Sequence, residues 1–203
     1  MEIQIKELES MNFSEAINFA IQGMHFNRYV DNKLILSLYG RYFLYLELER
    51  STQVIAAYNN QKLLGVLLAD MKNEPKLYSS FWRRIYIKIF KVVMAIFVKG
   101  GHDVYDEANK KMFKEYLKKA NPDGEICFLA TDPTAQGKGI GTLLLKELEK
   151  REKGKLIYLY TDNNCTYQFY EHKEFERSKE QQIEMELGGK NIPLTCLLYS
   201  KQL

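Results

Sequence analysis

Hydrophobic and polar positions follow two periods along the chain. Ile3 and Ile5 alternate with polar neighbours, the pattern of a short half-buried strand. Ala16, Ile17, Ala20 and Ile21 then recur at helical spacing behind Ser14, which is placed to cap that helix. Residues 33–50 are dense in Leu and Tyr and fit helix or strand equally. Thr52 to Tyr58 (TQVIAAY) and Leu63 to Met71 (LLGVLLADM) are β-rich runs on either side of the turn signal Asn59-Asn60, so they predict an antiparallel hairpin.

Residues 75–120 change character. Phe81, Trp82, Phe90 and Phe97 are interleaved with Arg83, Arg84, Lys88 and Lys91, then Gly100-Gly101 breaks the run. Asp106 to Lys119 reads as a second, amphipathic helix. The four cations between Phe81 and Val98 argue against a membrane span. A core or oligomer-facing helix pair accounts for the stretch, and a basic face against a membrane surface or an acidic partner is the alternative. A homodimer is compatible with its apolar character.

Asn121-Pro122-Asp123-Gly124 is a strong turn. Glu125 to Ala130 predicts a strand, Thr131 to Lys138 a loop, and Ile140 to Lys150 a helix whose stripe is Ile140, Leu144 and Leu148 with Leu143 beside it. Leu156 to Tyr160 predicts another strand and Thr166 to His172 a short helix. Ile183, Met185 and Leu187, Gly188-Gly189 and Thr195 to Tyr199 predict a C-terminal β-hairpin.

Composition adds limits. The chain has 203 residues, 46% hydrophobic and 27% charged, which suits one globular domain. A net charge of +3 favours an anionic ligand but is too small to imply nucleic acid. Cys127, Cys165 and Cys196 are far apart and odd in number, so we expect buried reduced thiols. His25, His102 and His172 are scattered, and no metal site is expected. The N-terminus lacks a basic start followed by an apolar core, so a cytoplasmic protein is expected and the triplets at Asn12 and Asn164 read as chance.

The chemistry is concentrated in Gln136-Gly137-Lys138-Gly139-Ile140-Gly141-Thr142, between a strand and a helix. Its glycines let the backbone approach a ligand, and free amides at a helix N-terminus suit a phosphate or pyrophosphate. Lys138 adds a charge. A P-loop is excluded because no Gly-Lys-Ser/Thr occurs. A dinucleotide fingerprint would need its third glycine where Thr142 stands; Asp162 mimics the ribose-binding acid, but too little chain follows for a long βαβ series. A tight glycine turn without a ligand is the remaining bland reading.

Gln136-x-x-Gly139-x-Gly141 matches the Gln/Arg-x-x-Gly-x-Gly/Ala motif, and the chain thereby resembles the GNAT superfamily of N-acetyltransferases. Thr131-Asp132-Pro133 is similar to the Val-x-Pro common there, and Asn163 with Phe169-Tyr170-Glu171 and Phe175 resembles the family's downstream signature. Glu174 stands where the family has Gly, and Thr166 where a small residue is usual. The resemblance is firm over about 125–175 and weaker elsewhere.

The resemblance implies an α+β (mixed α/β) fold: a mostly antiparallel sheet with splayed middle strands and flanking helices. It implies one N-acetyltransferase domain over 1–203, with a helical insertion at about 75–120. Acetyl-CoA would be the cosubstrate, its pantetheine pairing with Leu129, Ala130 and Thr131 and its pyrophosphate resting on Gly137 to Thr142. Asn163 and Tyr167 complete the implied cofactor-binding set. An amine would attack the thioester directly, with Tyr170 as general acid to the leaving thiolate. Glu125, eleven residues before Gln136, matches the offset of a glutamate base in some members. A GNAT-like acyl-CoA sensor or scaffold without turnover is the alternative function; a different phosphate-cofactor protein is the third. The acceptor, expected to be a small molecule, would meet residues 20–50, the insertion and the C-terminal hairpin, including Phe26, Tyr29, Tyr39, Tyr42, Trp82 and Tyr86.

Overall fold

In a computed structural model, residues 2–28, 32–97, 101–135, 137–187 and 190–203 are described. Tyr29, Gly100, Gln136, Gly188 and Gly189 lie outside them. The elements are β1 (Gln4–Lys6), α1 (Phe13–Gly23), α2 (Lys33–Arg50), β2 (Gln53–Asn59), β3 (Lys62–Met71), α3 (Phe81–Phe97), α4 (Gly101–Tyr116), β4 (Gly124–Thr131), α5 (Ile140–Arg151), β5 (Leu156–Asp162), α6 (Gln168–His172), β6 (Glu176–Leu187) and β7 (Lys190–Gln202). Among the described residues, one seven-stranded sheet runs in the order β1-β2-β3-β4-β5-β7-β6, and only β4 and β5 pair in parallel. This is the mostly antiparallel α+β sheet that the motifs imply.

The predicted hairpin is β2–β3, with Asn60 in the left-handed region at φ 55°. Both strands are almost continuously buried because helices cover both faces. Ile55, Ala57 and Leu67 pack against Ile140, Leu144 and Leu148 of α5, while Val54, Ala56 and Leu68 pack against Leu44 and Leu48 of α2 and Ala16 and Ala20 of α1. Each buried Val, Leu or Ile among them contributes about 1.5–3 kcal/mol, and each Ala about 0.8 kcal/mol.

Residues 33–50 form a helix, α2, capped by Asn32, whose Oδ1 accepts from the amides of Leu34 (2.9 Å) and Ile35 (3.2 Å). Two expectations change at helix starts. Ser14 does not cap α1: a short 3₁₀ turn at Ser10–Asn12 leads in and Asn12 holds the cap position, its side chain engaged by Glu15 and the Tyr58 hydroxyl. The second insertion helix starts at Gly101 rather than Asp106 and ends at Tyr116 rather than Lys119, so Gly101, expected only to break the preceding run, is itself the first residue of α4. The cysteines are free as expected, but only Cys196 is fully buried; Cys127 and Cys165 are partly exposed.

Helices α3 and α4 separate β3 from β4 in sequence, yet those strands are hydrogen-bonded neighbours. The pair packs away from the β3–β4 join: α3 lies along α2, and α4 covers β6 and β7. Among the described residues, no helix is long and apolar enough to cross a membrane.

Candidate functional site

The site begins with one extra residue. Along β3, Leu68 pairs with Phe128 while the next residue, Ala69, pairs with Ile126, so Cys127 is a bulge on β4. A bulge reverses the strand's face parity and increases its twist. Accordingly Ile126 packs on the α5 side, whereas Phe128, two residues on, packs with α1 and α2. Beyond the bulge β4 leaves β5: the two pair only at Gly124↔Ile157 and Glu125↔Tyr158. From Ile126 to Thr131 the β5-facing edge of β4 is an open wedge among the described residues. Leu129, Ala130 and Thr131 lie on it, still paired to Leu67, Val66 and Gly65 on the other edge.

Past the wedge, Asp132 shapes the loop. Its Oδ1 accepts from the amide and the hydroxyl of Thr134, each at 2.8 Å, and Lys62 pairs with its other oxygen at 2.6 Å. Gly137 (φ 80°) and Gly139 (φ 73°) then take left-handed conformations, and nothing lies within 4 Å of where a Cβ would stand at either. Gly139 occupies the cap position of α5, and no side chain caps it. Leu143 makes the first intrahelical bond, to the Gly139 carbonyl at 3.0 Å, which leaves the amides of Ile140, Gly141 and Thr142 without helical partners. Gly141 serves packing: a Cβ there would meet the Phe169 ring at 3.3 Å. These amides and Lys138 form a cradle fit for a pyrophosphate.

On the same face, Leu129, Tyr167, Phe169 and Tyr170 pack against the cluster built around Ile140, Leu144, Phe175 and Tyr199. The Tyr170 ring meets Phe169, Phe175 and Tyr199 with centroids 5.4, 5.6 and 6.2 Å away. Burial, with a smaller contribution from Cys165, pushes its phenol well above the ordinary value. Glu174 holds φ 63° where the family has glycine, a conformation that costs a non-glycine residue about 1–2 kcal/mol. Asn163 Oδ1 accepts from the Thr195 amide (2.9 Å) and the Asn163 amide donates to the Thr195 carbonyl (3.1 Å), which ties the end of β5 to β7.

Glu125 faces the opposite side. Its carboxylate accepts from Arg50 Nη1 at 2.9 Å and Nη2 at 2.8 Å, and from the Tyr158 hydroxyl at 3.1 Å. Arg50 also donates through Nε to Glu47 at 2.6 Å. The wedge therefore separates a tyrosine on the α5 face from a carboxylate on the α2 face. The second side is roofed by α4. Phe113 stacks on Tyr158 (4.6 Å) and meets Tyr160, and the Tyr105 hydroxyl donates to Asp162 Oδ2 at 3.4 Å. Asn109, between them on α4, has a buried Oδ1 with no hydrogen-bond partner.

Among the expected acceptor-side aromatics, Phe26, Tyr39, Tyr42 and Tyr86 gather around Phe90 and Phe43. Trp82 does not join them. It is 75% exposed and, among the described residues, Phe81 is the one aromatic ring it meets. The sequence reading missed Arg50, Tyr158, Tyr105 and Asn109. A strand reading Leu-Ile-Tyr-Leu-Tyr does present Tyr158 and Tyr160 on one face, but no local pattern pairs Arg50 with a residue 75 positions away.

A family model described as an acetyltransferase (GNAT) domain matches residues 101–177. No curated protein matches the sequence. Among solved structures, the chain is similar to the PaiA N-acetyltransferase from Thermoplasma acidophilum in complex with coenzyme A, at 16% identity over 100% of both chains (TM-score 0.55). It is similar to an acetyltransferase from Corynebacterium glutamicum described as histone acetyltransferase HPA2 and related, at 14% identity over 98% of this chain and 96% of that one (TM-score 0.55). YncA from Salmonella typhimurium, solved with its cofactor acetyl-CoA, matches at 13% identity over 99% and 94% (TM-score 0.54). At these identities the likeness is one of fold.

Proposed function

We propose, from the GNAT fold this chain shares with its structural neighbours and the acetyltransferase (GNAT) domain model that matches residues 101–177, that it is an acetyl-CoA-dependent N-acetyltransferase acting on a small primary amine. The observation that carries the reading is the open β4 edge leading to the uncapped amides of α5, a wedge and a cradle joined at Thr131–Thr142. Pantetheine amides complete the unpaired edge at Leu129, Ala130 and Thr131, and within the loop from Gly137 to Thr142 the pyrophosphate takes the amides of Ile140, Gly141 and Thr142, with the Lys138 side chain beside them; the Lys138 amide itself is held by the Ala135 carbonyl at 3.2 Å. Gln136, Asn163 and Tyr167 belong to the same binding set. Acetyl-CoA supplies an activated acyl thioester.

The rest is the work of this chain. As the amine nitrogen bonds to the acyl carbon, the carbon–sulfur bond breaks and the Tyr170 hydroxyl gives its proton to the departing sulfur. Burial keeps the Tyr170 phenol protonated, so its hydroxyl is available to donate to the sulfur as negative charge develops there. The amine's own proton goes to Glu125. An ionised carboxylate has about four acceptor positions. Arg50 and Tyr158 occupy three, leaving one on Oε1. After product release Glu125 gives its proton to water and Tyr170 recovers one from water, which resets both groups.

The whole chain acts as one domain, with α3 and α4 inserted between neighbouring strands. Because α4 roofs the Glu125 side, a compact amine fits better than a folded protein. Calorimetry with acetyl-CoA, run beside NADH, tests the cofactor. Micromolar binding of acetyl-CoA alone, followed by amine-dependent thiol release, supports the reading, and no heat with any acyl-CoA overturns it.

A further inference from the structure

Among the described residues, helix α3 leaves one of its faces without a protein partner. Ile87 and Phe90 are buried against the body, Arg83 is held by Glu49 at 2.9 Å, and Tyr86 donates to the Leu38 carbonyl at 3.0 Å. The opposite arc is apolar and open. Phe81 is 64%, Trp82 75%, Ile89 61% and Val92 60% exposed. At about 100° per residue these side chains share one stripe. Arg84, Lys88 and Lys91 form a second stripe along its edge. Lys88 and Lys91 have no ion-pair partner among the described residues, and Arg84 has only a distant one, Glu49 at 3.7 Å. From Pro75 to His102 the sequence contains no Asp or Glu. The first turns of α2, where Leu34, Ile35 and Leu38 are exposed, lie beside the second half of α3, since Tyr39 and Tyr42 pack on Phe90 while Tyr45 packs on Tyr86.

An apolar arc edged by unpaired cations is matched by a surface that is apolar below and anionic above. We propose that α3 docks this protein on an anionic lipid bilayer, with Trp82, Ile89 and Val92 entering the headgroup–acyl boundary and Lys88 and Lys91 on lipid phosphates. A second copy of the chain is the weaker occupant. In a twofold contact the same cationic stripe would face itself, with no acid on the helix to neutralise it. The inference is independent of the acetyltransferase reading and does not use the wedge or the cradle.

Trp82 is the only tryptophan, so its emission reports on this face alone. Full-length protein is titrated with vesicles of phosphatidylcholine and with vesicles containing about a third phosphatidylserine. The expected result is a blue shift and co-sedimentation with the anionic vesicles, weakened by salt. Lys88→Gln with Lys91→Gln should lower the affinity about 25-fold, about fivefold per cation. Ile89→Ser should lower it at unchanged charge, with circular dichroism confirming that both variants fold. Emission unchanged by anionic vesicles overturns the proposal. So does a concentration-dependent blue shift in buffer with a dimer mass by light scattering, which would make the face an interface between copies.

Discussion

Arg50 grips Glu125 at two points, 2.9 and 2.8 Å, across 75 residues of sequence, and so ties the last turn of α2 to the rung where β4 and β5 are still paired. The pair is half a support for the wedge and half a part of the proposed chemistry. Its two roles separate by mutation. Arg50→Met should destabilise the protein by about 2 kcal/mol, the scale of lost charge-assisted hydrogen bonds at a partly exposed site. Glu125→Gln should leave acetyl-CoA affinity unchanged and lower kcat. Denaturant melts and steady-state kinetics check both. An unaltered kcat in Glu125→Gln would mean that the amine loses its proton to solvent.

Tyr170→Phe should keep acetyl-CoA affinity and lower kcat by about 10²- to 10⁴-fold. A sensor would show no such split, because it has no turnover to lose. The raised phenol also predicts a flat kcat on the alkaline side up to pH 10. Since the folded value lies above the ordinary 10.0, the linked stability is present below pH 10 and lost above it.

Gly139→Ala places a Cβ at φ 73° on the cradle. We expect a loss of about 1–2 kcal/mol in stability from the left-handed backbone. Acetyl-CoA affinity should also fall roughly tenfold, about 1.4 kcal/mol, because the methyl stands where the phosphates approach. Thermal shift and calorimetry measure the two effects separately.

Glu47 gives the protein a pH signature. Burial raises its carboxyl to about 7, against the pull of the Arg50 guanidinium. A folded value above the ordinary 4.5 contributes stability that is full below that value and is lost as the pH rises through 7. Between pH 5 and 8, the native protein should therefore lose on the order of 2 kcal/mol more than Glu47→Gln does. Urea midpoints of both proteins at the two pH values decide it.

Much of this molecule is legible locally. The β2–β3 hairpin follows from two apolar runs around Asn59-Asn60. The strand, glycine loop and helix from Glu125 to Lys150 follow from the composition of the loop and the stripe of Ile140, Leu144 and Leu148, and the structure places them within a residue or two. The start of α1 was less legible, because Ser14 and Asn12 both suit a cap and the choice depends on Tyr58, a distant strand residue.

The sequence by itself determined that a phosphate-sized gap with free amides opens between a strand and a helix, because glycine spacing and helix periodicity act over a few residues. Only the tertiary structure decided the rest. The bulge at Cys127 exists because β3 pairs with β4 on either side of it. Arg50 reaches Glu125 because α2 lies across the sheet. Trp82 left the aromatic cluster because α3 turned Phe90, and not Trp82, towards α2. Each of these depends on which distant surface a residue meets, and periodicity carries no information about the partner.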